Sequence, residues 1–349
     1  MNSFIKNILL LMAFSIVISC NQEPAANIPD VDKVDIGDPL FIRFDRKLAQ
    51  MDPGPIKSSY EKLLKQHPVF TDLYFKRLLN FPQENMDSFY LYVADFIQAD
   101  KIQLLQDTVD NFYSDTERIE DEFRSAFRYL RYYFPTTKVP NVYFFQSEFG
   151  YQTIIFSDVD TDGIGIGLDL FLGEDFEYKR VDPRNPAFSE YLTRTYNRDH
   201  IVRKTMALML EDVLGEPNGK RFIDLAIHEG KKLYLLEKIM PYTHDTIRTE
   251  FSEQQWQWLQ ENELEMWSFF LEKELIYETN HLKIDKYINT SPHSPGMPPE
   301  APGRTGAYIG LQMVKSYLKR YPDTKLRDLI ELRDAQKLME LSKYKPKRR

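Results

Sequence analysis

Val142-Tyr143-Phe144-Phe145, Tyr151-Gln152-Thr153-Ile154-Ile155-Phe156 and Ile164-Gly165-Ile166-Gly167-Leu168-Asp169-Leu170-Phe171-Leu172 are three runs rich in aromatic and β-branched residues, separated by short turn-forming stretches. Runs of this length, bounded by Gly, Asp and Ser, read as strands rather than helices. They predict a small three-stranded sheet near residues 140–173, and no other part of the chain reads convincingly as sheet.

Outward from these runs the pattern is helical. From Phe41 to about Tyr113 apolar residues fall at helix spacing: Tyr60, Leu63 and Leu64, then Leu73, Phe75, Leu78 and Leu79, then Phe89, Leu91, Tyr92, Phe96 and Ile97. Ser114-Asp115-Thr116-Glu117 fits a capping box in front of a helix that carries Ile119, Phe123, Phe127 and Leu130 and ends by Phe134-Pro135. Beyond the sheet, helices are expected at about 199–214, 220–240, 253–277, 306–320 and 333–341, with a proline-rich loop over 291–303. The fold class is therefore α+β, predominantly helical: a small three-stranded sheet followed by a helical bundle. No stretch inside 40–345 reads as a linker, so residues 39–349 are expected to form a single mainly helical globular domain.

The N-terminus has a different character. Lys6 precedes the apolar run Ile8 to Ile18, which has signal-peptide length and is shorter than the about 20 residues that span a bilayer. Val17-Ile18-Ser19-Cys20 resembles the lipobox of bacterial lipoproteins, and Cys20 is the only cysteine in the chain. That resemblance implies cleavage between Ser19 and Cys20, diacylglycerol on the Cys20 thiol and a further acyl chain such as palmitate on the new N-terminus. Each buried CH₂ contributes about 0.8 kcal/mol, so several chains hold where one does not. Residues 1–19 are then a removed signal peptide. Residues 20–38, with Pro24, Pro29 and several acids, are a flexible tether. This places the protein in the cell envelope, lipid-anchored and facing the periplasm, with nothing in the sequence to choose inner or outer membrane.

The chain carries 45 basic and 53 acidic residues, a formal net charge of −8. That balance argues against nucleic-acid binding, which needs phosphates neutralised. One cysteine allows no internal disulfide. Stability must come from packing, to which 24 Phe and 21 Tyr bring large apolar area.

Two constellations could carry chemistry. His228-Glu229 sits inside an expected helix, where zinc peptidases place His-Glu-x-x-His. Here Lys232 stands where the second His would be, and a protonated lysine repels a cation. Glu229 and Lys232 also have the spacing of a helix ion pair. Gly230 in the same helix costs about 1 kcal/mol relative to Ala, so close packing against that turn is expected. The second constellation is Asp158, Asp160 and Asp162, followed by Gly163, with Asp169 at the twelfth position, as in a calcium loop. An Asp- and Gly-rich hairpin between strands explains the same residues. Weaker features are Arg304 and Tyr308, read as a loop entering a helix; Trp256, Trp258 and Trp267, expected in one helix; and the basic tail from Lys343 to Arg349, read as a solvated terminus.

Taken together, the lipobox, Ile166-Gly167-Leu168-Asp169-Leu170-Phe171-Leu172-Gly173, Ile227-His228-Glu229-Gly230-Lys231-Lys232 and Gly306-Ala307-Tyr308-Ile309-Gly310-Leu311-Gln312-Met313-Val314 resemble the gliding-motility lipoprotein GldB family of Bacteroidota. The resemblance implies an envelope lipoprotein needed for gliding, with protein partners in the gliding and type IX secretion machinery and a membrane partner through its lipid. It also implies a degenerate zincin-like outline without the second histidine, hence a non-catalytic accessory or scaffold with no cofactor. Two alternatives stand beside it: a zinc-dependent metallopeptidase with an atypical ligand set at His228 and Glu229, and a calcium-dependent binding module at Asp158, Asp160, Asp162 and Asp169.

Overall fold

The computed structural model describes residues 28–347. The chain divides into two units, Met1–Lys33 and Val34–Arg349. In the described part of the first, the Asp30 carboxylate accepts the N–H of Asp32, a local Asx turn. Val17, Ser19 and Cys20 lie outside the described residues, as do the signal peptide and the first part of the tether. Residues 28–40 contain no helix or strand.

The second unit carries a mainly helical α+β fold around one mixed sheet. Its strands are β1 (Phe41–Arg43), β2 (Asn141–Phe145), β3 (Thr153–Ser157) and β4 (Asp162–Gly167), in the order β1-β2-β4-β3. β1 and β4 run parallel to β2, and β3 is antiparallel to β4. β2 is central, and Val142 to Phe145 are all buried, which explains its unbroken apolar sequence. β4 admits glycine for a steric reason: a Cβ at Gly163 would meet the Phe156 ring at 2.2 Å, and one at Gly165 would meet Ile154 at 2.8 Å.

The three expected strands are present, and a fourth corrects the count. β1 is three residues long, too short to show an alternation, and its Phe41 falls at the start of the stretch whose spacing predicts helix. Backbone pairing holds it: the Val142 N–H donates to the Leu40 carbonyl at 2.8 Å, and the Leu40 N–H to Asn141 Oδ1 at 3.0 Å. The run to Leu172 also stops being strand at Gly167, where a 3-10 turn, Leu168–Leu170, takes over. The capping box is absent as well. That helix begins at Glu117, and the Thr116 hydroxyl bonds to Glu120 Oε1 at 2.8 Å rather than to backbone. The expected helix over 253–277 is two, Glu253–Glu261 and Glu263–Glu272. Asn262 divides them, its side-chain amide donating to the Trp258 carbonyl at 2.7 Å. Trp256 and Trp258 therefore lie on one helix and Trp267 on the next.

Several buried clusters organise this unit. Helices of the segment Phe44 to Gln98 pack an aromatic cluster on one face of the sheet, where Phe70 stacks on Tyr143 at 4.5 Å and meets Phe44 edge-on at 4.7 Å. On the other face, Ile155 and Ile164 share a cleft with Met209 and Val213 of the helix Ile201–Leu214. Another cluster lies among C-terminal helices, where Phe222, Ile223 and Ile227 meet Phe270, Tyr287, Ile309 and Met313. The tail is not free through residue 347. The Tyr344 hydroxyl donates to buried Glu263 at 2.9 Å, its ring meets Trp267, and the Lys347 N–H reaches the same carboxylate at 3.3 Å. No helix among the described residues is long and apolar enough to cross a membrane.

Candidate functional site

The helix Phe222–Ile239 starts where Asp224 at its third position accepts the Arg221 backbone N–H at 3.0 Å and the Arg221 guanidinium at 2.6 and 2.8 Å. An acid there also complements the helix dipole. One turn further on come His228 and Glu229. Lys232 Nζ lies 2.7 Å from Glu229 Oε1 and 3.4 Å from Glu211 Oε1, so the carboxylate that a zinc peptidase would turn on a water is held by the lysine. Burial lowers the His228 pKa, against the opposing pull of Glu229. Lys231 is buried, donates to the Leu332 carbonyl at 2.7 Å, and is brought down to about 8 by burial and by Arg333. The cavity beside His228 and Lys231 measures about 20 Å³. A space of about 10–15 Å³ on this measure is enough for a water, so this one suits a single solvent molecule rather than a peptide. Among the described residues no three His, Cys, Asp or Glu side chains are grouped to hold a metal ion.

Gly230 fills a packing role. A Cβ there would lie 2.2 Å from the backbone carbon of Gly310, and a Cβ on Gly310 would lie 1.8 Å from the Ala226 carbonyl oxygen. The helices Phe222–Ile239 and Thr305–Arg320 thus cross with their backbones nearly touching. The two sequence patches around Gly230 and Gly310 are two sides of one crossing.

The four candidate calcium ligands are not brought together. Asp158 lies just before the turn from β3 to β4, Asp160 in it and Asp162 just after. Asp158 accepts from the Tyr143 hydroxyl at 2.7 Å and from its neighbour Val159 N–H at 3.0 Å, which is hairpin chemistry. Asp169 lies beyond the far end of β4, past six strand residues or roughly 20 Å of chain. It is fully buried. It accepts the Ser147 N–H at 2.9 Å, the Ser147 hydroxyl at 3.1 Å and the Phe149 N–H at 2.5 Å. Burial raises its pKa to about 6 against those three donors. This carboxylate fastens the loop after β2, in which Glu148 and Phe149 both have positive φ.

The densest electrostatic site escaped the sequence reading. Glu250 is largely buried, with its side chain 11% exposed, in a left-handed conformation at φ 58°. Its carboxylate lies 2.8 Å from Arg203, 2.7 Å from Lys204 and 3.9 Å from Arg304. Burial alone would raise its pKa; the three cations reverse that and hold it well below the usual carboxylate range. Two of the cations also bind backbone, Arg203 Nε donating to the Arg248 carbonyl at 2.9 Å and Arg304 to the Thr249 carbonyl at 2.7 Å, and a further arginine, Arg194, donates to the Glu250 carbonyl. Arg304, itself at φ 63°, is therefore a buried strap at the entry to its helix, and Tyr308 is buried one turn on. Nothing in the string Thr249-Glu250-Phe251 announces this hub, because its partners come from three distant segments.

Fold and site together define a mainly helical α+β protein whose His-Glu turn is committed to an ion pair. A family model described as gliding motility protein GldB matches residues 25–346. The chain belongs to this family of gliding-motility lipoproteins. A comparison with curated proteins and one with solved structures each found no match.

Proposed function

We propose that this chain is a lipid-anchored, non-catalytic accessory of the gliding and type IX secretion machinery, which it serves through binding surfaces rather than a reaction centre. One observation carries the reading: the patches that mark the family are spent on holding the fold. Glu229 is paired with Lys232, Gly230 is pressed on Gly310, and Asp169 clasps the backbone of Ser147 and Phe149. In this reading the zincin-like outline has lost its metal. Residues 1–19 are removed, Cys20 carries the lipid, residues 20–38 form the tether, and the body faces the periplasm among its protein partners.

The anchor is tested by Cys20→Ala in the native host. The expected result is a folded protein in the soluble fraction and cells that no longer glide. A variant that leaves the membrane fraction while gliding continues at the wild-type rate would overturn the anchored reading.

A further inference from the structure

The C-terminal ends of the parallel strands β1 and β2 lead into a cleft of about 250 Å³ between the helices Phe44–Ala49, Met86–Gln98 and Asp100–Phe112. In sheets with parallel strands this is the end at which ligands sit. Leu48, Phe96, Ile97 and Ile102 make the walls apolar. Two further wall residues, Gln106 and Gln146, are only 6% and 2% exposed. Each has a side-chain oxygen that is closed to solvent and has no hydrogen-bond partner. Turning the Gln106 amide over does not relieve it. Its Nε2 donates to Asp110 Oδ2 at 2.8 Å, and a carboxylate can only accept. Gln106 Oε1 is thereby fixed as an acceptor that wants a donor.

The charges close by are already matched. Arg43 holds Asp45 at 2.6 Å, and Arg43 and Arg46 share Asp110 at 3.1 and 2.6 Å. Asp107, exposed on the cleft wall, forms no ion pair among the described residues. The volume is several times the about 30 Å³ share of a single water. An apolar lining, two unmet acceptors and one open negative charge specify a ligand that is apolar along its stem and cationic at a donor-bearing head.

We propose that this cleft binds an alkylammonium group. Its stem lies along Phe96, Ile97 and Ile102. Its N–H groups donate to Gln106 and Gln146 once those amides turn slightly toward it, and Asp107 balances its charge. Such a group comes either from a free amine or from the lysine side chain of a partner protein.

The test titrates the full chain with n-butylammonium, with Nα-acetyl-lysine N-methylamide, and with methyl propyl ether as a stem lacking donors. The readout is the side-chain amide resonances of Gln106 and Gln146. The expected result is saturable shifts of both with n-butylammonium and none with the ether; binding of n-butylammonium alone identifies a free amine, and equal or tighter binding of the lysine probe identifies a lysine side chain. Gln146→Leu is expected to weaken that binding about tenfold, the loss of one charge-assisted hydrogen bond, with the melting temperature kept. Asp107→Asn, at an exposed position, is expected to weaken it without touching the fold. Three results would overturn the proposal: no shift with either ammonium probe at millimolar concentration, equal binding of the ether, or unchanged affinity in both variants. The first of these would leave the two oxygens to ordered water alone.

Discussion

Glu250 sits largely out of solvent with Arg203, Lys204 and Arg304 around it. Burying one carboxylate with three cations costs solvation on every group, and Coulomb attraction offsets that only where the remaining donors are also satisfied. Here the backbone carbonyls of Arg248 and Thr249 take donors of Arg203 and Arg304. His200 is buried within reach of this hub's charges. Burial is the largest cause of its depressed pKa, about 4 against an ordinary 6.5. A histidine held neutral in the fold binds its proton more readily when unfolded, so stability is constant above the unfolded pKa and falls as pH drops from 6.5 toward 4. Between about pH 7 and pH 5 the loss from this group is on the order of 2 kcal/mol. His200→Gln is therefore expected to flatten the decline in melting temperature over that interval. An unchanged slope would show that His200 is not the group responsible. Glu250 is shifted in the same direction, so its contribution is complete above the ordinary carboxylate pKa and is lost as pH falls below it.

The crossing of Phe222–Ile239 with Thr305–Arg320 is where element geometry meets sequence most directly. Both helices were legible from their apolar periodicity, and Gly230 announced a close neighbour by its cost of about 1 kcal/mol in a helix. What the sequence could not name was the neighbour, because Gly310 lies 80 positions away. Gly310→Ala should gain about 1 kcal/mol in helix propensity, yet its Cβ would fall 1.8 Å from the Ala226 oxygen. Main chain cannot swing aside as a side chain can, so a net destabilisation of about 2 kcal/mol is expected, read as a lower urea midpoint. A raised midpoint would mean that the helices separate freely. Elements that sequence reading missed were those defined by partners. β1 exists through its ladder with β2, and the break at Asn262 depends on a side chain competing for a helix carbonyl. Asp169 shows the same limit: its spacing from Asp158 suggested one loop, but the strand between them runs straight.

At the scale of the whole molecule, the described body joins an aromatic core on its sheet, a second core among C-terminal helices, and buried charge at Glu250. The resemblance read from four patches is matched by family membership over residues 25–346. Three of those patches are packing and backbone anchorage in the fold, and the fourth, the lipobox, lies outside the described residues. A protein so built is expected to need its shape and its anchor more than any side-chain chemistry at His228 and Glu229. The direct measurement is gliding speed in cells carrying His228→Ala with Glu229→Gln at native abundance, with the melting temperature of the purified variant measured alongside. The account expects gliding at the wild-type rate. Loss of gliding by a variant that remains folded and anchored would contradict it and return that turn to catalysis.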